Sequence, residues 1–320
     1  MSITVLAPGF MTSFQDAGRP GLMALGVGAS GAFDSPALRL ANALCGNAGD
    51  ACGLELTLIG PRLRFERDTR FAVTGAPLAL ELDGVARPMW SPLQAGAGST
   101  LTFGRMATGC RSYLAVAGGL RVEPVLGSRS SDLNSKLGPL QGRYLRAGDH
   151  LPLADEAAPP WRHAPNWSLN GAHWFGFDEQ RPLRLLPGAH RAGLTPDAIE
   201  RLFTQEFTVA NDSNRVGLRL DGPTLTWKAP MELVSAGSVP GVLQLPPSGQ
   251  AIAFGPESPV SGGYPRIGQI AAVDYPRLAQ ARPGDRLRFV PCEFNEALAA
   301  LHTRELALAR VIAAVAARLS

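Results

Sequence analysis

Apolar residues in this chain recur mostly at every second position, in short runs. Leu78, Leu80 and Leu82 alternate with their neighbours up to an Asp83-Gly84 turn, and Val216, Leu218 and Leu220 do the same up to Asp221-Gly222. Phe71 to Val73 forms a brief apolar run. Alternation of this kind gives a strand one buried face, and the 36 glycines and 27 prolines interrupt the chain often enough to keep strands short. The pattern predicts a mainly β protein.

Helical spacing is rarer. Asp34-Ser35-Pro36 opens one segment with Leu38, Ala41 and Cys45 on a face and Gly46 at its end; Thr195-Pro196-Asp197 opens another carrying Ile199, Leu202 and Phe203. The only long helical pattern runs from Phe294 to Leu319, with Phe294, Leu298, Leu301, Leu308, Ile312, Val315 and Leu319 on one stripe and Arg304, Glu305, Arg310 and Arg318 opposite. Such a stripe caps its own domain, docks on a partner subunit, or belongs to a disordered end.

A turn followed by a strand recurs at Gly98 to Phe103, Gly148 to Leu153 and Gly284 to Phe289, and the last two share similar lead-ins, which suggests two related β units. Between them, Ala154 to Arg181 has no clean period and carries Pro159, Pro160, Trp161 and His163. It reads as the junction, with a boundary near residues 155–180. The expected organisation is an N-terminal β unit over 1–165, a C-terminal β unit over 166–292 and a helical tail over 293–320.

A length of 320 residues with 45% hydrophobic content suits two ordinary cores. A net charge of +3 with no run of basic residues argues against nucleic-acid or membrane-surface binding. Lys136 and Lys228 are the only lysines, so the positive charge is nearly all arginine, suited to carboxylate and phosphate contacts but equally a product of GC-rich coding. No export signal opens the chain and no window reaches the roughly 18 apolar residues of a spanning helix, which predicts a cytoplasmic protein. Cys45, Cys52, Cys110 and Cys292 then read as reduced, buried residues. His163 and His173 lack a carboxylate or cysteine at ligand spacing, so no metal site is expected.

The sequence has no phosphate loop, no Gly-x-Ser-x-Gly elbow, no His-Glu-x-x-His and no biotin-carrying Met-Lys-Met. Its polar constellations are of another kind. Gln15, Asp16 and Arg19 stand within five positions around Gly18, where Asp16 and Arg19 can pair and Gln15 keeps its amide; the group is either an ion pair pinning a barrel loop or the rim of a pocket for a small amide or carboxylate. The glycine-rich run Gly26 to Asp34 enters a helix N-terminus, a place where backbone N–H groups hold anions or simply turn the chain. Ser128, Arg129, Ser130 and Arg143 suit loop closure or a polar ligand equally. Gln244 sits in an otherwise apolar strand and needs partners, and Ser261, Gly262, Gly263 and Tyr264 allow close backbone approach with a hydroxyl nearby.

These motifs taken in order resemble the allophanate hydrolase subunit 2 family, also called the biotin-dependent carboxyltransferase family, which includes chains like the C component of 5-oxoprolinase and part of the carboxyltransferase domain of urea carboxylase. The resemblance runs from about Pro8 to Phe289. It rests on Gln15-Asp16-x-Gly18-Arg19, Gly31-Ala32-Phe33-Asp34, Ala41-Asn42, Gly46-Asn47, Leu54-Glu55, Gly118-Gly119, Leu126-Gly127-Ser128-Arg129-Ser130, Gly142-Arg143, Gly148-Asp149, Pro240-Gly241-x-x-Gln244, Gly262-Gly263-Tyr264-Pro265 and Pro283-Gly284-Asp285.

The resemblance implies two cyclophilin-like β-barrel units. It also implies a stable complex with a subunit 1 homologue (B-like) and a third, A-like protein, acting as an ATP-dependent 5-oxoprolinase that opens the 5-oxo-L-proline lactam to L-glutamate. On that reading a partner subunit holds ATP, Gln15, Asp16 and Arg19 line or brace the catalytic site, and Ser128, Arg129, Ser130, Arg143, Gln244, Ser261, Gly262, Gly263 and Tyr264 contribute substrate contacts. The C-terminal half departs from the family. Ser235-Ala236-Gly237 replaces Ser-Glu-Gly, Pro187-Gly188-Ala189-His190 replaces Pro-Gly-Pro-Gln, and Ser213-Asn214-Arg215-Val216-Gly217 replaces Ser-Asp-Arg-Met-Gly. The segment Gly255 to Tyr264 lacks the usual Asp-Arg-x-Thr-Thr before Gly-Gly-Tyr. Two alternatives follow: a carboxyltransferase-type component acting on an amide or urea-like substrate with biotin on a separate carrier, and a non-catalytic regulatory binding partner.

Overall fold

The strand Leu78–Leu82 ends in a turn where Asp83 and Gly84 both take positive φ (52° and 76°), the geometry that joins two antiparallel strands through two residues. Leu80 and Leu82 point into a core while Ala79 and Glu81 are exposed. The same logic produces Gly217–Asp221, which buries Leu218 and Leu220. A computed structural model describes residues 2–153, 165–175, 181–231 and 233–319. Most of the expected junction, with Trp161 and His163, lies outside the described residues.

The chain divides into two compact units, one made of Met1–Arg19, Ser30–Gly176 and Leu308–Ser320, the other of Pro20–Ala29 and Phe177–Ala307. The first holds two sheets. One has the strand order His150–Pro152, Ser2–Ala7, Arg62–Phe65, Thr100–Met106, Leu78–Leu82, Val85–Ala86. The other runs Met11–Gln15, Gly53–Thr57, Arg111–Val116, Thr69–Gly75, Leu93–Ala95. A core including Ile3, Phe14, Leu54, Phe65, Phe71 and Leu114 fills this unit, and Phe65 stacks on Phe71 with ring centres 5.4 Å apart.

The second unit holds a two-stranded ribbon, Ala236–Gly237 with Ser261–Gly262, and an eight-stranded sheet in the order Arg286–Leu287, Phe207–Val209, Gly217–Asp221, Ile252–Phe254, Val242–Gln244, Arg266–Ile270, Leu183–Pro187, Phe289–Pro291. Its two outer strands are consecutive in sequence, so a single stretch, 286–291, pairs with Phe207–Val209 at one end and runs parallel to Leu183–Pro187 at the other. The sheet thereby closes on itself within one residue. The expectation of a mainly β chain with two cyclophilin-like β-barrel units, a few short helices and a C-terminal helix is borne out.

The repeat seen in the sequence has a structural counterpart. Gly148 (φ 88°) donates to Val5 O and Val5 donates to Asp149 O, at 2.8 and 2.9 Å; Gly284 (φ 91°) and Asp285 make the same pair of bonds with Val209, at 2.8 and 2.9 Å. Asp149 accepts from Arg146 N, and Asp285 from Arg282 N. Each unit contains one copy of this turn.

The helix Ser35–Leu44 is capped by Asp34, whose Oδ1 accepts from Ala37 N at 3.2 Å, and Pro196–Thr204 is capped in the same way by Thr195. Phe294–Leu319 forms the long C-terminal helix. Leu308 packs with Leu40 and Trp90, and Val315 with Leu38 and Ala41, in the first unit, whereas Phe294 and Leu298 at its start are exposed. All four cysteines are buried and none is in a disulfide among the described residues, and burial pushes the Cys45 and Cys52 thiols well up. Among the described residues no helix is long and apolar enough to cross a membrane, and no group of three His, Cys, Asp or Glu is placed to hold a metal ion.

Candidate functional site

In the first unit the strand Met11–Gln15 leads into the Asp16–Arg19 loop, which meets the 125–131 loop across a dense set of hydrogen bonds. The Asp16 carboxylate accepts from Ser128 Oγ (2.6 Å), Ser130 Oγ (2.5 Å) and Gly18 N (2.8 Å) on Oδ1, and from Arg129 N (2.6 Å) on Oδ2. Asp16 N donates to Ser130 Oγ at 3.0 Å, and Ser130 N donates to Ser128 Oγ at 3.0 Å. Arg19 Nε donates to Val125 O (3.0 Å) and Nη2 to Ser130 O (2.5 Å). Both charged groups of the motif therefore reach to one loop and hold it from two sides. Gln15, Asp16 and Arg19 are 0%, 6% and 1% exposed, so all three are buried.

Gln15 keeps only part of its amide available. Nε2 donates to Ser13 Oγ (3.0 Å) and Ser131 O (3.1 Å), while Oε1 and the neighbouring Ser131 Oγ are buried with no hydrogen-bond partner among the described residues. The glycine-rich run joins the same assembly: Ser30 Oγ donates to Ser131 O (2.9 Å) and Ala32 N to Asp16 O (3.0 Å). Gly31 (φ 92°) lies so close that a Cβ there would stand 3.0 Å from Gly18 Cα.

Behind this loop, the protein supplies the anion. Glu55 Oε2 accepts from Phe33 N (3.0 Å) and Tyr113 Oη (2.7 Å), Tyr113 Oη accepts from Asp34 N (2.7 Å), and Arg111 Nε lies 3.3 Å from Glu55 Oε1 with its guanidinium over the Phe33 ring. Burial pushes the Tyr113 phenol far above its ordinary range, and the Glu55 and Asp34 carboxylates add to the effect, so it stays a donor. The helix N-terminus that the glycine-rich loop feeds is thus occupied by Asp34 and Glu55. Sequence reasoning matched Glu55 to the family but gave it no role; a buried carboxylate in an otherwise apolar strand, Gly53–Thr57, was the available signal.

Of the other residues expected here, Ser128 and Ser130 stand directly on Asp16. Arg129 contributes its backbone N–H there, while its Nε donates to Val122 O at 2.8 Å. Arg143 lies apart from this cluster: it forms a two-point pair with Asp149 (2.7 and 2.7 Å), bracing the repeated turn. The Arg143 hydrogen bonds hold the Asp149 carboxyl below its usual range.

In the second unit, Gln244 is 5% exposed and pairs with Arg266 at an irregularity that skips Ile267, and both side chains reach toward the same ribbon, Gln244 Nε2 to Tyr264 O and Arg266 Nη1 to Gly237 O. Gln244 Nε2 donates to Tyr264 O at 3.4 Å, and a Cβ on Gly262 would stand 2.9 Å from that nitrogen and displace the amide. Ser261–Gly262 pairs with Ala236–Gly237, so two of the segments that depart from the family lie side by side in one ribbon. A third adjoins them. His190 Nδ1 accepts from Arg266 N (3.1 Å), and Arg266 Nη1 donates to Gly237 O (2.5 Å). Tyr264 is half exposed, and Gly263 borders Leu233 O and Ser235 Oγ. Glu257, which stands in the altered segment, is buried against Arg215 at 2.5 Å. Neither His190, Arg266 nor the Arg215–Glu257 pair was singled out as functional from the sequence, because their proximity comes only from strand pairing.

Residues 25–291 match the family model described as carboxyltransferase domain, subdomain A and B. The chain is 38% identical over 300 residues to the C component of 5-oxoprolinase from Escherichia coli K12, covering 93% of this chain and 94% of that protein. It is 30% identical to urea amidolyase of Saccharomyces cerevisiae over 96% of its own length, but spans only 17% of that protein. Its fold matches the crystal structure of the Kluyveromyces lactis urea carboxylase with a TM-score of 0.86 at 29% identity, over 96% of this chain and 29% of that one. The chain belongs to the carboxyltransferase domain, subdomain A and B, family.

Proposed function

We propose that this chain is the C-like component of a multi-subunit, ATP-dependent 5-oxoprolinase that hydrolyses the 5-oxo-L-proline lactam to L-glutamate in the cytoplasm. The observation that carries the reading is the likeness to the Escherichia coli protein, which extends over nearly all of both chains. The urea-processing relatives are far longer, so their activities are not transferred whole.

The chemistry is consistent with a division of labour. A lactam is a weak electrophile, and ATP supplies activation of its oxygen; this sequence has no phosphate loop and only two lysines, so the nucleotide is assigned to an A-like or B-like partner. This chain's part is to bind and orient the lactam. Gln15, Asp16 and Arg19 act from within, setting the position of the Ser128–Ser131 and Ser30–Asp34 loops, while Gly262 and Tyr264 stand at an accessible face with the buried Gln244 beside them.

The test is reconstitution with A-like and B-like partners, followed by assay of glutamate formed from 5-oxo-L-proline with and without ATP. The expected result is ATP-dependent glutamate that disappears when this chain is omitted. Equal turnover without it, or a stable three-part complex with no turnover, overturns the reading.

A further inference from the structure

The pair Gln244 and Arg266 has properties that the fold does not use. Gln244 places its amide nitrogen beneath Gly262, leaving Oε1 with no hydrogen-bond partner among the described residues, although this carbonyl oxygen is not sealed from solvent. Arg266 commits Nη1 to Gly237 O, while Nε and Nη2 have no partner among the described residues and are likewise unsealed. His190, with its Nδ1 accepting from Arg266 N, is left with Nε2 as its donor nitrogen and anchors the Arg266 backbone from the adjoining turn. An acceptor and a cationic fork thus come from residues paired across an irregularity of the sheet, and both reach the segments around the Ala236–Gly237 and Ser261–Gly262 ribbon.

We propose that Arg266 and Gln244 form a recognition site for a small molecule that carries a carboxylate next to an amide N–H. Arg266 takes the carboxylate, using the fork geometry that suits planar anions, and Gln244 Oε1 accepts from the N–H. Gly262 leaves room for the Gln244 amide, whose Nε2 donates to the backbone oxygen of the half-exposed Tyr264. The ligand class fits 5-oxo-L-proline, whose ring N–H and carboxylate flank one carbon. The choice of this ligand rests on the 5-oxoprolinase reading, whereas the site itself rests on the geometry. Arg266 is then the residue that separates a lactam acid from a plain lactam or urea.

The test is calorimetric titration of the full chain, without ATP, using 5-oxo-L-proline and 2-pyrrolidinone, which has the same ring without the carboxylate. The wild-type chain is expected to prefer the acid by about 10- to 100-fold, the size of a charge-assisted contact. Arg266→Gln is expected to remove that preference and leave 2-pyrrolidinone binding unchanged. Gln244→Met is expected to weaken both ligands about 10-fold while preserving their ratio. A wild-type chain that binds neither ligand or shows no preference, or an Arg266→Gln chain that keeps the wild-type ratio, overturns the site. If Arg266→Gln does not fold, loss of the ratio in Gln244→Met overturns it instead. The two readings fail separately: a reconstituted complex without glutamate formation but with intact ligand discrimination refutes the activity alone, and turnover by an Arg266→Gln complex with unchanged KM refutes the site alone.

Discussion

Replacing Asp16 by alanine separates a structural clamp from a catalytic carboxylate. In the native chain the carboxylate accepts from two serine hydroxyls and two backbone N–H groups. Alanine leaves all four donors without it. The Ser128 and Ser130 hydroxyls can rotate toward other acceptors, but Gly18 N and Arg129 N are fixed by the backbone, and each stranded donor costs about 1–3 kcal/mol. The summed loss is about 3–5 kcal/mol, a large part of the roughly 5–15 kcal/mol that holds a domain folded. At about 2–4 °C per kcal/mol for a unit of this size, Tm falls by about 10 °C. Asp16→Asn keeps one carbonyl oxygen for the hydroxyls while opposing its amide to the Arg129 N–H, so it should lose about half as much. Differential scanning calorimetry of the three chains, beside glutamate formation by the reconstituted complex, gives both quantities. An Asp16→Ala chain that melts with the wild type yet is inactive would refute the clamp and assign Asp16 to the chemistry.

Gly31→Ala should cost about 1–3 kcal/mol from its left-handed backbone alone, and more from the 3.0 Å approach to Gly18, read as a shift in urea midpoint. Glu257→Ala leaves Arg215 buried with its carboxylate partner gone and should destabilise by about 3–5 kcal/mol, whereas the double change Glu257→Leu with Arg215→Met should recover most of it. The Asp149 carboxyl is held low by its Arg143 hydrogen bonds, so the stability it contributes is complete above its unfolded pKa of about 3.9 and is lost as pH falls through the lower folded value. Melting curves between pH 6 and pH 2 should therefore drop less steeply for Arg143→Gln than for the wild type, and parallel curves would contradict the pairing. Tyr113→Phe removes the donor to Glu55 and the acceptor for Asp34 N, and should lower Tm without altering the protein's secondary structure by circular dichroism.

How much of this was legible in sequence depended on the range of the interaction. Strands with period-two burial, such as Leu78–Leu82, and helices with caps at Asp34 and Thr195 were readable because their causes lie within a few residues. The turn at Gly148-Asp149 and Gly284-Asp285 was readable as a repeat for the same reason. Gln15, Asp16 and Arg19 stood out by composition, yet their partners lie more than 100 residues away, and nothing local indicated that the Ser128–Ser131 loop would take up both charges. The first turn of the C-terminal helix shows the opposite failure. Phe294 and Leu298 fit the apolar stripe, but periodicity does not say where the packing surface ends, and both are exposed.

The way the second barrel closes also bears on how it is made. Leu183 waits for Phe289, and Phe207 for Leu287, so the closing pairs join residues roughly 80 to 100 positions apart. A ribosome must deliver residue 291 and let it clear the exit tunnel before the last pairs can form. Until then Leu183–Pro187 and Phe207–Val209 each keep one edge open that a neighbouring nascent chain could occupy. Biogenesis of this unit is therefore a race between translation and aggregation, decided by how soon residues 286–291 emerge.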